Sequence, residues 1–510
     1  MLFPLTSRCY DSSPLSPFFR FRTFFLFIVF QKNSIPMSFI SILLAFLLGA
    51  GAILFFQNNT KKAEKKKEPV VNMPSVEEQE RRLAEFRSSP FEDIKGVKSN
   101  LDLDEFKGLY EVVQREGVYA TVKGGNLTKE SKCLDFGTYD YHSFSTEKEV
   151  VEVARKTVMA YGVGSCGPRT FYGTVKPHVD CEKKLSTFTG AEDTAVYSFS
   201  YATISTLISC FASRGDYLVY DKGICSPVME GCRLCRANMV EFKHNDIQDL
   251  EEKIKSVVAK DGYKKPHRRF VVTEGVFKNF GDICNLSEIL RLCKQYKFRL
   301  IMDDSYGFGV VGKTGRGTPE VFGVPIKDID VYVGSMSTSL GCVGGFCSGE
   351  RGMVDFQRLA AAAYIFSASL PPYVTAACTE AVKLLEKNPS YCERIHTNTK
   401  KARALLRASK FNRNKLELVE CKDDLSPIII LRATEAYVKE KNATDVEKQI
   451  QTVLNNCALK GALFTKHHYT NEEPTENIPS LRVVMKSQMT EEEVKTGMEV
   501  FIKAVEEVFA

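Results

Sequence analysis

Residues 298–317 read FRLIMDDSYGFGVVGKTGRG, an apolar run that ends in paired aspartates and passes into a glycine-rich stretch. Apolar runs of roughly four to eight residues that are bounded by turn residues are typical of buried β-strands. We therefore predict a strand over Phe298–Asp303, with a carboxylate at its end and a turn beyond it.

The same arrangement recurs on both sides of this run. Further strands are predicted at Tyr217–Asp221, Phe270–Glu274 and Asp330–Gly334, with helices between them at Ile247–Ala259 and Leu286–Tyr296. Strands that alternate with helices indicate an α/β fold with a mostly parallel sheet. Ligands of open α/β sheets bind beyond the carboxyl ends of the strands. We therefore expect Asp221, Glu274 and Asp303 to share one pocket.

The N-terminal stretch predicts attachment to a membrane. Residues 38–56 read SFISILLAFLLGAGAILFF, an uncharged run that meets the ~18–20 residues needed to span a bilayer. A signal peptide is the alternative, but no small-residue cleavage site follows. Five lysines lie within residues 61–67, so the positive-inside rule places the C-terminal body in the cytosol. Met37 is an alternative start of translation.

Charge and cysteine content exclude several classes of protein. The formal net charge is +6, but residues 1–67 hold nine Lys/Arg and two Asp/Glu, which leaves 60 basic and 61 acidic residues in the rest. The basic residues therefore indicate membrane orientation rather than nucleic-acid binding. The 16 cysteines show no spacing typical of a metal site, so we interpret most of them as buried thiols in a reducing compartment.

The pattern predicts four segments along the chain. Residues 1–57 hold the transmembrane helix, 58–150 form a linker and N-terminal arm with a helix near Val76–Arg87, 151–390 form the large domain, and 391–510 form a small C-terminal domain. The last segment mixes helices with strands at Pro427–Leu431 and Leu481–Val484, which predicts an α+β domain.

Five stretches resemble motifs of the α-oxoamine synthase family in their order and spacing. They are 161–173 (YGVGSCGPRTFYG), 197–205 (YSFSYATIS), 272–281 (VTEGVFKNFG), 302–317 (MDDSYGFGVVGKTGRG) and 366–372 (FSASLPP). These enzymes use pyridoxal phosphate to join an amino acid to an acyl-CoA with loss of CO₂. The resemblance implies the aminotransferase-like fold type I of pyridoxal phosphate enzymes, with the active site at a dimer interface.

The residues that would react with the cofactor depart from the family pattern. A pyridoxal phosphate site needs a lysine amine for the Schiff base and a flat side chain stacked on the ring. Residues 337–341 read STSLG where catalytic members carry a lysine in second place, so Thr338 stands at the lysine position. The resemblance also implies that Cys225 replaces the stacking histidine and that Tyr306 replaces a second histidine. A threonine hydroxyl cannot form a Schiff base.

Other positions of the implied cofactor site are kept or only partly changed. Asp303 matches the aspartate that holds the ring nitrogen, although it could equally be a carboxylate that caps a turn. Ser200 stands where a phosphate-loop glycine is common, which argues against a tight backbone cradle. Arg482 matches the arginine that binds the substrate carboxylate, with a structural arginine as the alternative. Lys278 and Lys313 are poor substitutes for the missing amine, because a lysine on a loop is usually solvated.

The stretch 161–173 keeps its glycines, which permit a tight, crossing backbone. We expect it to line an interface or a pocket, with a structural turn as the alternative. Arg169 and Tyr172 could then reach toward a partner's pocket. We interpret Cys166 as a small packing residue and His178 as a loop histidine with satisfied hydrogen bonds.

Within the family, phrases such as FKHNDIQDLE and VGGFCSG resemble the long-chain-base subunits of serine palmitoyltransferase. The resemblance implies a non-catalytic subunit of an endoplasmic reticulum enzyme that condenses L-serine with palmitoyl-CoA to 3-oxosphinganine. Pyridoxal phosphate would be held by a homologous, lysine-bearing partner subunit, and no metal is expected. The alternatives are a self-sufficient homodimer that uses a displaced lysine, and a non-enzymatic membrane scaffold or regulator.

Overall fold

The computed structural model describes residues 75–88, 109–261, 267–470 and 472–510. The chain falls into two units that divide at residue 100. The first contributes helix α1 (Val76–Ser88), which agrees with the predicted helix near Val76–Arg87. The transmembrane helix predicted at 38–56 lies outside the described residues. None of the helices in the described ranges combines the length and apolar character that a bilayer crossing needs.

The second unit is built around a seven-stranded mixed sheet. Its strands are β4 (Asp193–Tyr197), β5 (Tyr217–Asp221), β6 (Asn238–Phe242), β7 (Arg269–Glu274), β8 (Arg299–Asp303), β9 (Val331–Ser335) and β10 (Gly345–Gly349). They lie in the order β4-β10-β9-β8-β7-β5-β6. Strand β10 runs antiparallel to both neighbours and the other pairs are parallel, which confirms a mostly parallel sheet with one reversed strand.

Helices cover this sheet, and its central strands are therefore apolar along nearly their whole length. Strand β9 is buried throughout, and β7 and β8 are buried except at their first residues. Such continuous burial is typical of strands covered on both faces. The helices of this unit are α2 (Lys148–Tyr161), α3 (Lys176–Thr189), α4 (Ser200–Phe211), α5 (Ser226–Leu234), α6 (Ile247–Asp261), α7 (Leu286–Tyr296), α8 (Thr318–Val321), α9 (Arg351–Ala360), α10 (Ala362–Ile365), α11 (Pro372–Lys387), α12 (Ser390–Ala408), α13 (Glu435–Lys441), α14 (Ala443–Leu459) and α15 (Glu491–Val508).

Two smaller sheets complete the described fold. The first has the order β1 (Tyr110–Glu116), β2 (Tyr119–Gly124), β3 (Ser131–Asp135) and β13 (Ala462–Leu463). The second has the order β11 (Leu416–Leu418), β12 (Ile428–Ala433), β15 (Ser480–Val484) and β14 (Thr465–Lys466). Strands β12 and β15 agree with the two strands predicted in the C-terminal segment. The domain boundary at residue 390 stays a prediction, because residues from 101 onward form one compact unit.

Candidate functional site

Buried carboxylates stand at the carboxyl ends of neighbouring strands. Glu274 ends β7 and Asp303 ends β8; the two residues are paired in the strand register and are 1% and 3% exposed. Asp221 ends β5, but its carboxylate accepts hydrogen bonds from Gly223 N and Asn245 N and contacts His244 Nδ1 at 2.8 Å. Glu274 and Asp303 are therefore neighbours at this edge of the sheet, whereas Asp221 is occupied by the loop after β6; a pocket shared by these carboxylates stays a prediction.

Glu274 is held in place by two backbone donors. Its Oε1 accepts a hydrogen bond from Cys225 N at 2.5 Å, and its Oε2 accepts one from Lys278 N at 2.9 Å. Burial raises the pKa of Glu274 to about 8, and the negative charge of Asp303 adds to the shift. Two carboxylates this close and this buried do not ionise together easily. Glu274 is therefore protonated over most of the neutral pH range.

Ser305 joins Asp303 to Thr338. Asp303 Oδ1 accepts hydrogen bonds from Ser305 N at 3.0 Å and from Ser305 Oγ at 2.5 Å, so the aspartate caps the turn that follows its strand. Burial raises the pKa of Asp303 to about 6. Thr338 lies in the loop after β9, is 5% exposed, and donates from its Oγ1 to the Ser305 carbonyl at 2.8 Å. The Thr338 hydroxyl is therefore already used for structure.

Cys225 and Tyr306 flank the two carboxylates. Cys225 directly precedes α5 and is buried; burial and the nearby charge of Glu274 raise the pKa of its thiol well above the usual value. Tyr306 packs edge-on against Tyr139, with ring centroids 5.0 Å apart, and burial raises the pKa of its phenol. Both side chains are therefore neutral, and neither offers a nucleophile at neutral pH.

The two lysines considered as substitutes for the missing amine are not suited to the role. Lys278 Nζ donates to the His468 carbonyl and lies 3.3 Å from Glu473 Oε1. Burial opposes the charge of Lys278, but Glu473 outweighs it, so the pKa of this lysine is raised. Lys313 is exposed on the loop after β8. A protonated, paired lysine cannot attack a carbonyl carbon.

These residues do not fit a covalently bound pyridoxal phosphate. At the position predicted for the lysine, Thr338 offers a hydroxyl that already donates, and at the position predicted for the stacking side chain, Cys225 offers a buried thiol. Ser200 begins α4, and a Cβ added at Gly345 would lie 2.9 Å from its Cα, so β10 packs directly against this helix start. The described residues at these predicted positions therefore offer no amine that could hold the cofactor covalently.

Arg482 lies on β15 and keeps an unusual set of partners. Its Nη1 donates to Tyr139 Oη at 2.7 Å and its Nη2 donates to the Gly137 carbonyl at 3.0 Å. Its guanidinium also stacks on the Tyr139 ring, 4.4 Å from the centroid. Its buried Nε has no hydrogen-bond partner. The arginine therefore contacts only neutral groups, which leaves its charge available to an anion.

Two groups of the site were missed by sequence reasoning. His244 stacks on Phe280, with centroids 3.9 Å apart, and bridges Asp221 and Asp282. Although burial opposes it, the two aspartates raise the pKa of His244 to about 10. His467 is 2% exposed and donates from Nε2 to Asn279 Oδ1 at 3.0 Å. For His244, the one sequence signal was the phrase FKHNDIQDLE, which contains it. No feature of the sequence marked His467.

The stretch 161–173 forms a tight crossing, as its glycines predicted. A Cβ added at Gly173 would lie 1.7 Å from the Gly167 carbonyl oxygen, so the two backbone segments touch. Cys166 adopts a left-handed backbone conformation, with φ of 61°, and is exposed. Cys166 therefore does not pack inside its own chain, and its place at an interface or pocket stays a prediction. His178 contacts the Val175 N–H and the Leu370 carbonyl, in agreement with a satisfied histidine.

Arg169 does not reach outward as expected. Its guanidinium is 6% exposed and forms a two-pronged ion pair with Glu182 on α3, with N···O distances of 2.9 and 3.1 Å. It also donates to Thr174 Oγ1 at 3.0 Å. Its charge is therefore satisfied within its own chain, and Arg169 fixes the loop instead of contacting a partner. Tyr172, in contrast, is 74% exposed.

Three loops around Tyr172 and the adjoining helices α4 and α9 carry a set of exposed apolar side chains, here called the exposed loop surface. Hydrogen bonds join the loops: Ser165 Oγ donates to the Ser369 carbonyl, Thr170 Oγ1 to the Arg358 carbonyl, and Ser198 Oγ to the Ala368 carbonyl. Contiguous exposed apolar patches mark interaction sites. The exposed side chains of this surface are Val163, Phe171, Tyr172, Phe199, Tyr201, Leu359 and Phe366.

The raised pKa of Glu274 predicts that the stability of the fold depends on pH. In the unfolded chain this carboxyl loses its proton near pH 4.5, whereas in the folded chain it keeps the proton up to about pH 8. Its contribution is therefore complete below about pH 4.5 and is lost as the pH rises through about 8. We expect Glu274→Gln to flatten the decrease in the free energy of unfolding over this range.

Urea unfolding at several pH values between these limits measures the effect. The exposed Glu288→Gln on α7 is the matched control and should unfold with the pH dependence of the unaltered chain. Asp303 and Asp304, whose pKa values burial raises to about 6 and about 7, and His244, whose pKa its two aspartates raise to about 10, contribute to the pH dependence that remains. Identical pH dependence in Glu274→Gln and the unaltered chain would contradict the assignment.

Comparison with known proteins agrees with this geometry. Residues 131–501 match the family model of aminotransferase class I and II. Serine palmitoyltransferase 1 of Dictyostelium discoideum is 34% identical over 392 residues, which cover 77% of this chain and 80% of that protein. Long chain base biosynthesis protein 1c of Oryza sativa subsp. japonica is 38% identical over 316 residues, which cover 62% of this chain and 63% of that protein. A solved serine palmitoyltransferase variant from S. paucimobilis, with a bound PLP-myriocin aldimine, has a TM-score of 0.70 and 25% identity, covering 82% of this chain and 98% of that one.

Proposed function

The chain belongs to the aminotransferase class I and II family and, within it, to the serine palmitoyltransferase 1 family, and on this premise we propose that it is the non-catalytic subunit of serine palmitoyltransferase. The complete enzyme would condense L-serine with palmitoyl-CoA to 3-oxosphinganine, with release of CO₂ and CoA, in sphingolipid synthesis. This chain would complete the interface and line part of the shared site.

The observation that carries the proposal is the state of Thr338. The Thr338 hydroxyl donates to the Ser305 carbonyl. Lys278, which was considered as a substitute for the missing amine, is paired with Glu473. A homologous partner subunit would therefore supply the lysine and hold the pyridoxal phosphate. The family members that carry out the chemistry need both, and Thr338 at the predicted lysine position of this chain offers no amine.

The exposed loop surface supports assembly with that partner. Aromatic side chains concentrate in the energetically dominant parts of protein interfaces. This surface presents Phe171, Tyr172 and Phe199, which are 63%, 74% and 60% exposed. An apolar surface of this kind would be covered by the homologous subunit in the working enzyme.

We expect Tyr172→Asp to weaken assembly by at least about tenfold, which corresponds to ~1.4 kcal/mol. The change places a charge at the centre of an apolar contact without altering the buried core, because Tyr172 is exposed. Co-purification of the partner subunit with the tagged chain measures the effect. Leu459→Asp, at a 60% exposed position on α14 away from this surface, is the matched control and should pair normally. Equal recovery of the partner with both variants would refute the assigned interface.

We expect Thr338→Lys to give no condensation activity in the absence of the partner. The new amine would face Asp303 across Ser305, but Cys225 and Tyr306 would still be unable to stack on or position the cofactor ring. Formation of 3-oxosphinganine from L-serine and palmitoyl-CoA measures activity, and the assembled complex with the unaltered chain is the positive control. Turnover by the unaltered chain alone would instead identify a self-sufficient enzyme, and turnover by the variant alone would contradict the prediction.

We also propose that residues 38–56 anchor the chain in the endoplasmic reticulum membrane with its body in the cytosol. An uncharged run of this length, followed by five lysines, supports this orientation. The chain expressed without its partner should move from the membrane fraction to the soluble fraction when residues 1–57 are removed. Retention of the shortened chain in the membrane fraction would contradict the proposal.

A further inference from the structure

A cavity of about 860 Å³ opens next to the candidate site. It lies among β1, β2, β14, β15 and α14, and one end is bounded by Ser337 and Cys342 from the loop that carries Thr338. Its volume falls within the roughly 300–1,000 Å³ of small-molecule sites in proteins. The cavity is therefore large enough for a ligand of its own.

One part of the cavity is lined by apolar side chains. Val112 on β1 is paired in register with Val122 on β2, and both line the cavity. Leu454 on α14 and Leu463 on β13 line it as well, together with Phe464. Val122 is fully buried and Phe464 is 6% exposed, so this part of the wall continues the core, whereas Val112 is 43% exposed. Such a wall suits an aliphatic chain.

The lining of the cavity includes the cations Arg115 and Lys466, and also Arg482. This residue is paired in register with Thr465, which also lines the cavity. Its guanidinium contacts only neutral acceptors, its Nε has no hydrogen-bond partner, and no ion pair is formed by it in the described part of the chain. A half-buried guanidinium without a counter-ion, with a buried Nε that has no partner, favours an anionic ligand.

The acidic groups of the cavity do not compete for this role. Asp135 is 2.9 Å from Lys486 Nζ, so its charge is already matched. Asp140 accepts a hydrogen bond from Ser145, and burial raises the pKa of its carboxyl. Lys466, which also lines the cavity, lies 3.3 Å from Glu447. Arg482 is therefore the less exposed of two lining cations, with Arg115, that form no ion pair among the described residues.

We propose that this cavity binds a single-chain anionic amphiphile, a fatty-acid carboxylate, without a covalent bond. The carboxylate contacts Arg482, and the aliphatic chain lies along Val112, Val122 and Leu463. The Thr338 hydroxyl at the loop end is already used, so the ligand is bound and not converted. The inference goes beyond the proposed subunit role, because it concerns a ligand of this chain whether or not the chain takes part in condensation.

Photolabelling of the full chain, purified together with its partner, tests the proposal. A palmitate analogue with a diazirine near the end of its chain is bound, irradiated, and located by mass spectrometry of the peptides. We expect labels in residues 109–124 and 454–466 of this chain. Because the label is mapped to a subunit, the result is independent of turnover and of which subunit carries the cofactor.

Two neighbouring valines supply matched variants. Val112 lines the cavity and Val113 does not, although the two are 43% and 45% exposed on the same strand. We expect Val112→Trp to fill the cavity and reduce labelling at least about fivefold, and Val113→Trp to label like the unaltered chain. Equal labelling of the two variants, or labels confined to the partner subunit, would overturn the proposal.

The head group supplies the second comparison. The corresponding hexadecanol analogue has the same chain and no charge, and we expect it to label this chain about tenfold less than the carboxylate. Arg482→Met should remove that preference for the carboxylate. An alcohol that labels as well as the acid would show an apolar groove without an anion site, and would overturn the assignment.

Discussion

Replacing Gly173 with alanine should prevent the exposed loop surface from forming and abolish capture of the partner subunit. The added Cβ would lie 1.7 Å from the Gly167 carbonyl oxygen, and that oxygen is fixed because it accepts hydrogen bonds from both Ser369 N and Ser369 Oγ. A backbone atom held on two sides cannot give way as a flexible side chain does. Overpacking of this kind costs about 1–3 kcal/mol, and more when backbone must move.

Thermal unfolding and co-purification of the partner, measured together, check this result. Gly164→Ala is the matched control from the same loop, because an added Cβ at Gly164 meets nothing within 4 Å. We expect the control to assemble like the unaltered chain. If Gly173→Ala retained both its melting temperature and its partner, the crossing of the two segments would not be needed for assembly.

Replacing Glu182 with alanine should destabilise the fold by about 3–5 kcal/mol, the range expected when one partner of a buried ion pair is removed. The carboxylate holds both terminal nitrogens of Arg169 and also accepts a hydrogen bond from Val196 N at 3.0 Å. Without it, the guanidinium of Arg169 remains buried and unmatched, and the backbone of β4 loses an acceptor.

The free energy of unfolding in urea measures this loss. Glu152→Ala on α2 removes a carboxylate from an exposed pair with Arg155, where the two side chains are 42% and 71% exposed. Exposed pairs contribute little, so this control should unfold like the unaltered chain. Similar stability of the two variants would mean that the buried pair does not fix the loop.

Sequence patterns predicted the strands of the large sheet closely, because buried strands carry a local signal. Tyr217–Asp221 and Leu286–Tyr296 have the predicted bounds, and the strand that ends at Asp303 differs by one residue. The turn-capping role of Asp303 was one of the two roles considered, and the contacts with Ser305 agree with it. Local hydrophobic pattern and strand length were sufficient for these elements.

Contacts between distant segments could not be predicted in the same way. The pairing of Glu274 with Asp303 depends on β7 and β8 being neighbours in the sheet, which the chain order alone does not require. Arg169 was expected to face a partner because it lies in a glycine-rich loop, from which a long side chain can extend toward a neighbouring subunit. Its buried partner, Glu182, lies on the following helix, and no local pattern announces an ion pair of that kind.

The single reversed strand has a consequence for the order in which the molecule can be made. Strand β4 is at one edge of the sheet, and its neighbour there is β10, with Val196 opposite Phe346. The pairing of β4 with β10 closes a long loop, so it cannot form until the ribosome has synthesised β10. The neighbouring Phe199 and the loop at Ser369 belong to the exposed loop surface, so a nascent chain that ends before β10 should fail to capture its partner. Assembly of the two subunits would then follow synthesis of most of the chain.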